Sequence, residues 1–155
     1  HITEKIQSYP GVIGVHDLMI HDYGPGNLFA TVHVEFPAET PVIEAHEVMD
    51  EIERDFQEQE HMILTIHYDP IVEENAEVAE IRAFVSKAAK ELDERLSIHE
   101  VRLVPGNESS NVIFDCVKPA GFKVSDSEIT SYLQKRVTEW NPRYRCVIKI
   151  EQSYV

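Results

Sequence analysis

Glycine is scarce in this chain, with 6 residues among 155, and no glycine-rich phosphate loop or nucleophile elbow occurs. The two cysteines, Cys116 and Cys146, show no CxxC or CxxH spacing. Each sits in an apolar stretch and reads as a reduced core residue, which fits a reducing compartment. Basic residues are few: 14 Lys and Arg face 28 Asp and Glu, for a net charge of −14. Nucleic acid is therefore not an expected partner, since phosphate binding needs clustered cations. No window approaches the ~18 consecutive apolar residues of a membrane span. A secretory signal is also missing at the start, His1-Ile2-Thr3-Glu4-Lys5, and a chain opening on His reads as a fragment of something longer. What the sequence does hold is histidine, 8 residues, within a chain 43% hydrophobic. That is enough apolar material for one domain or two small ones.

Alternation and helical spacing divide the first half into five elements. A short helix over 3–9 stops at Pro10-Gly11. Strands over 13–22 and 28–36 flank the turn cluster Tyr23-Gly24-Pro25-Gly26-Asn27. A helix from Pro41 to Gln59 carries Ala45, Val48, Met49, Ile52 and Phe56 on one face, and a strand over 62–68 ends at Asp69-Pro70. After the charged connector Glu73-Glu74-Asn75-Ala76-Glu77 the order repeats. It gives a helix over 77–96, strands over 98–104 and 112–117, a helix capped by Ser125 or Asp126, and a strand over 144–150.

The halves align at an offset of about 82 residues. Val15-His16-Asp17-Leu18 matches Ile98-His99-Glu100-Val101, and Val34-Glu35-Phe36-Pro37 matches Cys116-Val117-Lys118-Pro119. The expected fold is α+β: a compact helix-strand-strand-helix-strand unit with a mainly antiparallel sheet, written twice and divided between residues 72 and 73.

Five residues of the first unit have metal-ligand chemistry: His16, His33, His46, His67 and Asp69. On the second strand Ala30, Val32, Val34 and Phe36 take the core parity, so His33 faces the other way; His67 and Asp69 share that side on the third strand. His16 follows Gly14 at the start of its strand, where local bending leaves its parity open. His46 flanks the core stripe of its helix. The second copy has His99, Asp115, Ser127, Lys149 and Glu151 at these positions, and an ammonium at Lys149 repels a cation. Had the fold itself required the histidines, both copies would carry them. His21, beside Asp22, is a candidate accessory ligand, whereas His61 reads as solvated.

The run Tyr9-Pro10-Gly11-Val12-Ile13-Gly14-Val15-His16-Asp17-Leu18, then Val32-His33-Val34-Glu35, Glu44-Ala45-His46 and Ile66-His67-Tyr68-Asp69-Pro70, resembles the cytoplasmic C-terminal domain of the cation diffusion facilitator family, divalent-metal efflux transporters. The remainder is similar to a second ferredoxin-like extension found in some bacterial members, so the resemblance implies tandem ferredoxin-like, metallochaperone-like αββαβ units with helices on one face, 1–72 as a metal-binding dimerisation domain and 73–155 as a degenerate second copy. The resemblance implies a homodimer on the cytoplasmic side of the membrane, attached to a membrane domain of the same transporter that this chain lacks. It also implies metal, Zn2+ or another divalent transition ion, held near the dimer interface by His16, His33, His46, His67 and Asp69. Under that reading the domain is regulatory and not an enzyme. Two alternatives stand beside it: a small-molecule-sensing module of ACT-like architecture, and a metal-dependent hydrolase whose His/Asp cluster activates water.

Overall fold

The structure is a computed structural model, described here for residues 1–153. The chain forms two compact units, His1–Ile71 and a second beginning at Val72. The first unit runs α1 (Ile2–Gln7), β1 (Gly14–Asp22), β2 (Leu28–Pro37), α2 (Val42–Glu60) and β3 (Met62–Ile71). The second runs α3 (Ala76–Leu92), β4 (Ser97–Val104), β5 (Ser110–Pro119), α4 (Asp126–Trp140) and β6 (Tyr144–Ser153). These are tandem ferredoxin-like units of the expected α+β class.

Each sheet is mixed. In the first, of order β1-β2-β3, β1 and β2 form an antiparallel hairpin, while α2 carries the chain back so that β3 lies parallel to β2. The second sheet repeats this as β4-β5-β6. Ala30, Val32, Val34 and Phe36 of β2 pack against Ala45, Ile52 and Phe56 of α2, with Ile6 of α1 and Leu64 of β3 in the same core. In the second unit, Val112, Phe114 and Cys116 of β5 meet Ile129, Leu133 and Val137 of α4 and Val78, Ile81 and Val85 of α3.

Among the boundaries that differ from the sequence reading, three have a clear local cause. β3 does not stop at Asp69-Pro70 but runs to Ile71. As an edge strand it needs no hydrogen bond from the proline nitrogen on its outer side, so Pro70 is tolerated there. α3 ends at Leu92, where Asp93 turns the chain and accepts hydrogen bonds from the backbone and side chain of Arg95. Leu96 is nonetheless fully buried, having reached the core from the turn rather than from the helix. His61 closes α2 in the left-handed region, at φ 53°, and its N–H bonds the carbonyl of Phe56.

The repeat extends to its irregularities. β1 carries a bulge between His16 and Met19, with Asp17 at φ 52°; β4 carries one between His99 and Arg102, with Glu100 at φ 57°. A left-handed residue at this point shifts the register, which is why strand parity alone could not orient His16.

Candidate metal centre

One face of the first sheet is covered by helix; the chemistry lies on the other. Pairing places His16 of β1 opposite His33 of β2, and His33 opposite His67 of β3, so three imidazoles form one rung across the sheet. Their rings follow one another with centroids 4.7 Å apart from His16 to His33 and 4.3 Å from His33 to His67. The next rung on the same face is Gly14, Glu35 and Asp69.

Asp69 joins the two rungs. Its carboxylate is almost entirely buried, 3% exposed. His33 Nδ1 lies 2.9 Å from its Oδ2, His16 Nε2 lies 3.3 Å from the same oxygen, and His67 Nε2 lies 3.4 Å from Oδ1. Ligand atoms of His16, His33 and Asp69 all fall within 4.8 Å of one another, a spacing at which one divalent ion can meet all three. Two imidazoles and a carboxylate are the donor set of zinc and its neighbours. His67 borders this group but is exposed. A hollow of about 620 Å³ opens beside it, lined in part by Met19, Thr31, Thr65 and both His33 and His67.

His46 stands apart. It is exposed on α2, among the outer residues of that helix, and is not one of the converging donors. His21 is not among them either; it is exposed on β1, with its ring stacked on Tyr23.

The residue that sequence reasoning undervalued is Glu35. It is 2% exposed, and its Oε1 lies 2.8 Å from Nδ1 of His16. Strand parity already placed it on the face of His33; its burial was not foreseen, because that depends on Gly14 across the hairpin.

In the second unit the aligned rung is His99, Asp115 and Lys149, followed by Ser97, Val117 and Glu151. Lys149 Nζ lies 3.0 Å from Glu151 Oε1, and His99 Nε2 sits 3.0 Å from Ser97 Oγ. The hydrogen bond that the Lys149 ammonium donates to Glu151 raises the Lys149 pKa and holds its charge in place.

A ferredoxin-like unit with a His/Asp donor group on its uncovered sheet face defines a small α+β domain with a candidate metal site. Residues 1–71 match the family model of the cation efflux protein cytoplasmic domain. Over 53 residues, 34% of this chain, it is 42% identical to the cation-efflux pump FieF of Yersinia enterocolitica. Against FieF of Salmonella newport the identity is 36% over 70 residues, 44% of this chain. The matched stretches are 17% and 23% of those two pumps, so the chain corresponds to a minor part of their length. Among solved structures, the metal-bound C-terminal domain of the CzcD transporter from Cuprividus metallidurans is 29% identical, with a TM-score of 0.38, covering 44% of this chain and 92% of that one.

Proposed function

We propose that residues 1–71 form the metal-sensing regulatory domain of a divalent-cation efflux transporter, with zinc as the sensed ion and a closed homodimer as the state that zinc favours. The observation that carries this reading is the convergence of His16, His33 and Asp69 on the open face of the first sheet. His67 supplies a further donor at the edge of that group. His46, which a single chain leaves apart, is assigned to the ligand set in the dimer.

Two properties of the first unit support dimer closure as the response. Met19, Phe29 and Ile63 share the open sheet face with the histidines and are exposed. Residues 1–71 also hold 14 acidic side chains against 2 basic ones, Lys5 and Arg54, whereas the rest of the chain holds 14 against 12. Nearly all the net charge therefore sits on the unit that would pair with its own copy. Divalent ions bound at this face offset the repulsion and let the apolar patch bury. The response is limited by how much more tightly the closed state holds metal than the open one.

The membrane domain that would receive the signal lies outside this chain. Among the described residues no helix is long and apolar enough to cross a membrane. The match of residues 1–71 to a cation efflux cytoplasmic domain supports placement on the cytoplasmic side.

Titration calorimetry with zinc tests the site, using the wild-type chain, His33→Ala and His67→Ala. Loss of affinity in both variants is expected, and sedimentation should show zinc-dependent association of the wild type. Unchanged stoichiometry and affinity in both variants would overturn the proposal. A wild-type chain indifferent to zinc would favour a small-molecule-sensing module.

A further inference from the structure

Glu35 is a carboxylate buried where neither the helix packing nor the sheet pairing requires one. Its Oε1 meets Nδ1 of His16 at 2.8 Å, and the other nitrogen of that ring, Nε2, faces Asp69 at 3.3 Å. An ionised carboxylate only accepts hydrogen bonds, and of the two carboxylates facing this ring Glu35 is the nearer, so Nδ1 carries the proton and the lone pair is left on Nε2. That is the tautomer a metal at the His16, His33 and Asp69 group needs.

The room for Glu35 comes from its cross-strand partner. Gly14 pairs directly with Glu35, and a Cβ added at Gly14 would stand 2.6 Å from Oε2 and 2.9 Å from Cδ. No side chain fits there without moving the carboxylate. The second unit supplies an internal control: where Glu35 becomes Val117, Gly14 becomes Ser97, and the aligned histidine, His99, bonds Ser97 Oγ instead. The glycine is present where the glutamate is present and absent where it is absent.

We infer that Glu35 is a positioning residue for the metal centre, fixing the tautomer and ring angle of His16, and that Gly14 exists to admit it. This rests on the metal-sensing reading above. A carboxylate behind a ligating imidazole locks its orientation and raises its basicity, and loss of such a partner typically lowers metal affinity by about 10–100-fold.

The experiment combines zinc affinity, by competition with a chromophoric chelator, and the tautomer of His16 in the apo protein, by two-bond ¹H–¹⁵N correlation. Glu35→Val, which copies the second unit, should lower affinity by about 10–100-fold. Gly14→Ser alone should lower it comparably, yet add little in the Glu35→Val background, because both remove the same contact. Glu35→Gln, an isostere, should retain part of the affinity. In the apo wild type His16 should carry its proton on Nδ1.

A proton found on Nε2, wild-type affinity in Glu35→Val, or losses from Gly14→Ser and Glu35→Val that simply multiply would each overturn the inference. If Gly14→Ser fails to fold, Glu35→Gln and the wild-type tautomer still decide the matter. A wild type that takes up no zinc would instead sink the metal-sensing reading, while the tautomer would still report whether Glu35 orders His16.

Discussion

Across the open face of the first sheet one rung reads His16, His33, His67; across the second it reads His99, Asp115, Lys149. The strands have the same order and pairing, and even the bulge recurs, with Asp17 and Glu100 both left-handed. The helix-covered faces agree too, since Ile52 and Phe56 take the places of Leu133 and Val137. What diverges is the uncovered face. The first unit gathers imidazole donors around a buried carboxylate and has almost no cations of its own. The second has Lys149 paired to Glu151, and Arg102, whose guanidinium reaches the carbonyl of Glu100. One copy leaves a place for an added cation, and the other carries cations as side chains. An identical frame with opposite electrostatics separates what the fold needs from what the site needs.

If the shared frame sets stability, core truncation should act alike in both units and in proportion to the volume removed. Phe56→Ala should cost the first unit about 3–5 kcal/mol, and Val137→Ala should cost the second about 2 kcal/mol. Both side chains are fully buried. Amide exchange resolved by unit measures the two losses separately. A Val137→Ala loss as large as that of Phe56→Ala would show that the two cores are not equivalent.

The next effect should come from moving the charge between copies. His67→Lys writes the second unit's residue into the first, placing an ammonium beside Asp69 where His67 Nε2 now lies 3.4 Å from Oδ1. The ammonium pairs with the carboxylate and repels a divalent ion. We expect zinc affinity to fall by about 100-fold, equivalent to ~2.7 kcal/mol. Calorimetry on the variant reads this directly, and retention of wild-type affinity would break the proposed link between Lys149 and loss of the site.

Much of this comparison could be seen in the sequence, because alternation and helical stripes are local patterns. The parity of Val32 and Val34 placed His33 opposite the core, and the spacing of Leu64 and Ile66 did the same for His67 and Asp69. Three things were not legible. The orientation of His16 depends on the left-handed turn at Asp17, whose effect on register appears only when the hairpin pairs. The burial of Glu35 depends on Gly14, 21 residues away in the chain and opposite in the sheet. Asp69-Pro70 resembles a strand end, yet an edge strand tolerates proline, so β3 continues. In each case the missing information was what lies alongside in the sheet, a partner strand for His16 and Glu35 and an open edge for Pro70.

The helices offer a smaller contrast. α4 opens with Ser125, whose Oγ accepts a hydrogen bond from the Glu128 N–H at 3.1 Å, whereas α2 opens at Pro41 with no side-chain cap. Ser125→Ala should therefore destabilise the second unit by about 1 kcal/mol. Urea denaturation measures it. An unchanged midpoint would mean that the helix end is held by packing in both copies.

The smallest expected effect concerns Asp115, the carboxylate that stands where the first unit has His33. Burial is the main cause that raises its pKa above the ordinary carboxyl range, with Glu151 and, more weakly, Glu100 adding to it, while Arg102 and Lys149 pull the other way. The cations of the second unit thus compensate this carboxylate only in part. Because the folded form holds the proton more tightly than the unfolded chain, stability falls as pH rises from the ordinary carboxyl pKa through the raised one. Below that window both forms are protonated and nothing is lost. Asp115→Asn keeps the shape without the charge, so it should be slightly more stable than wild type at neutral pH and indistinguishable from it below about pH 3. Urea midpoints at the two pH values test the sign. A variant less stable than wild type at neutral pH would mean that Lys149 and Arg102 outweigh burial and hold Asp115 in its charged form.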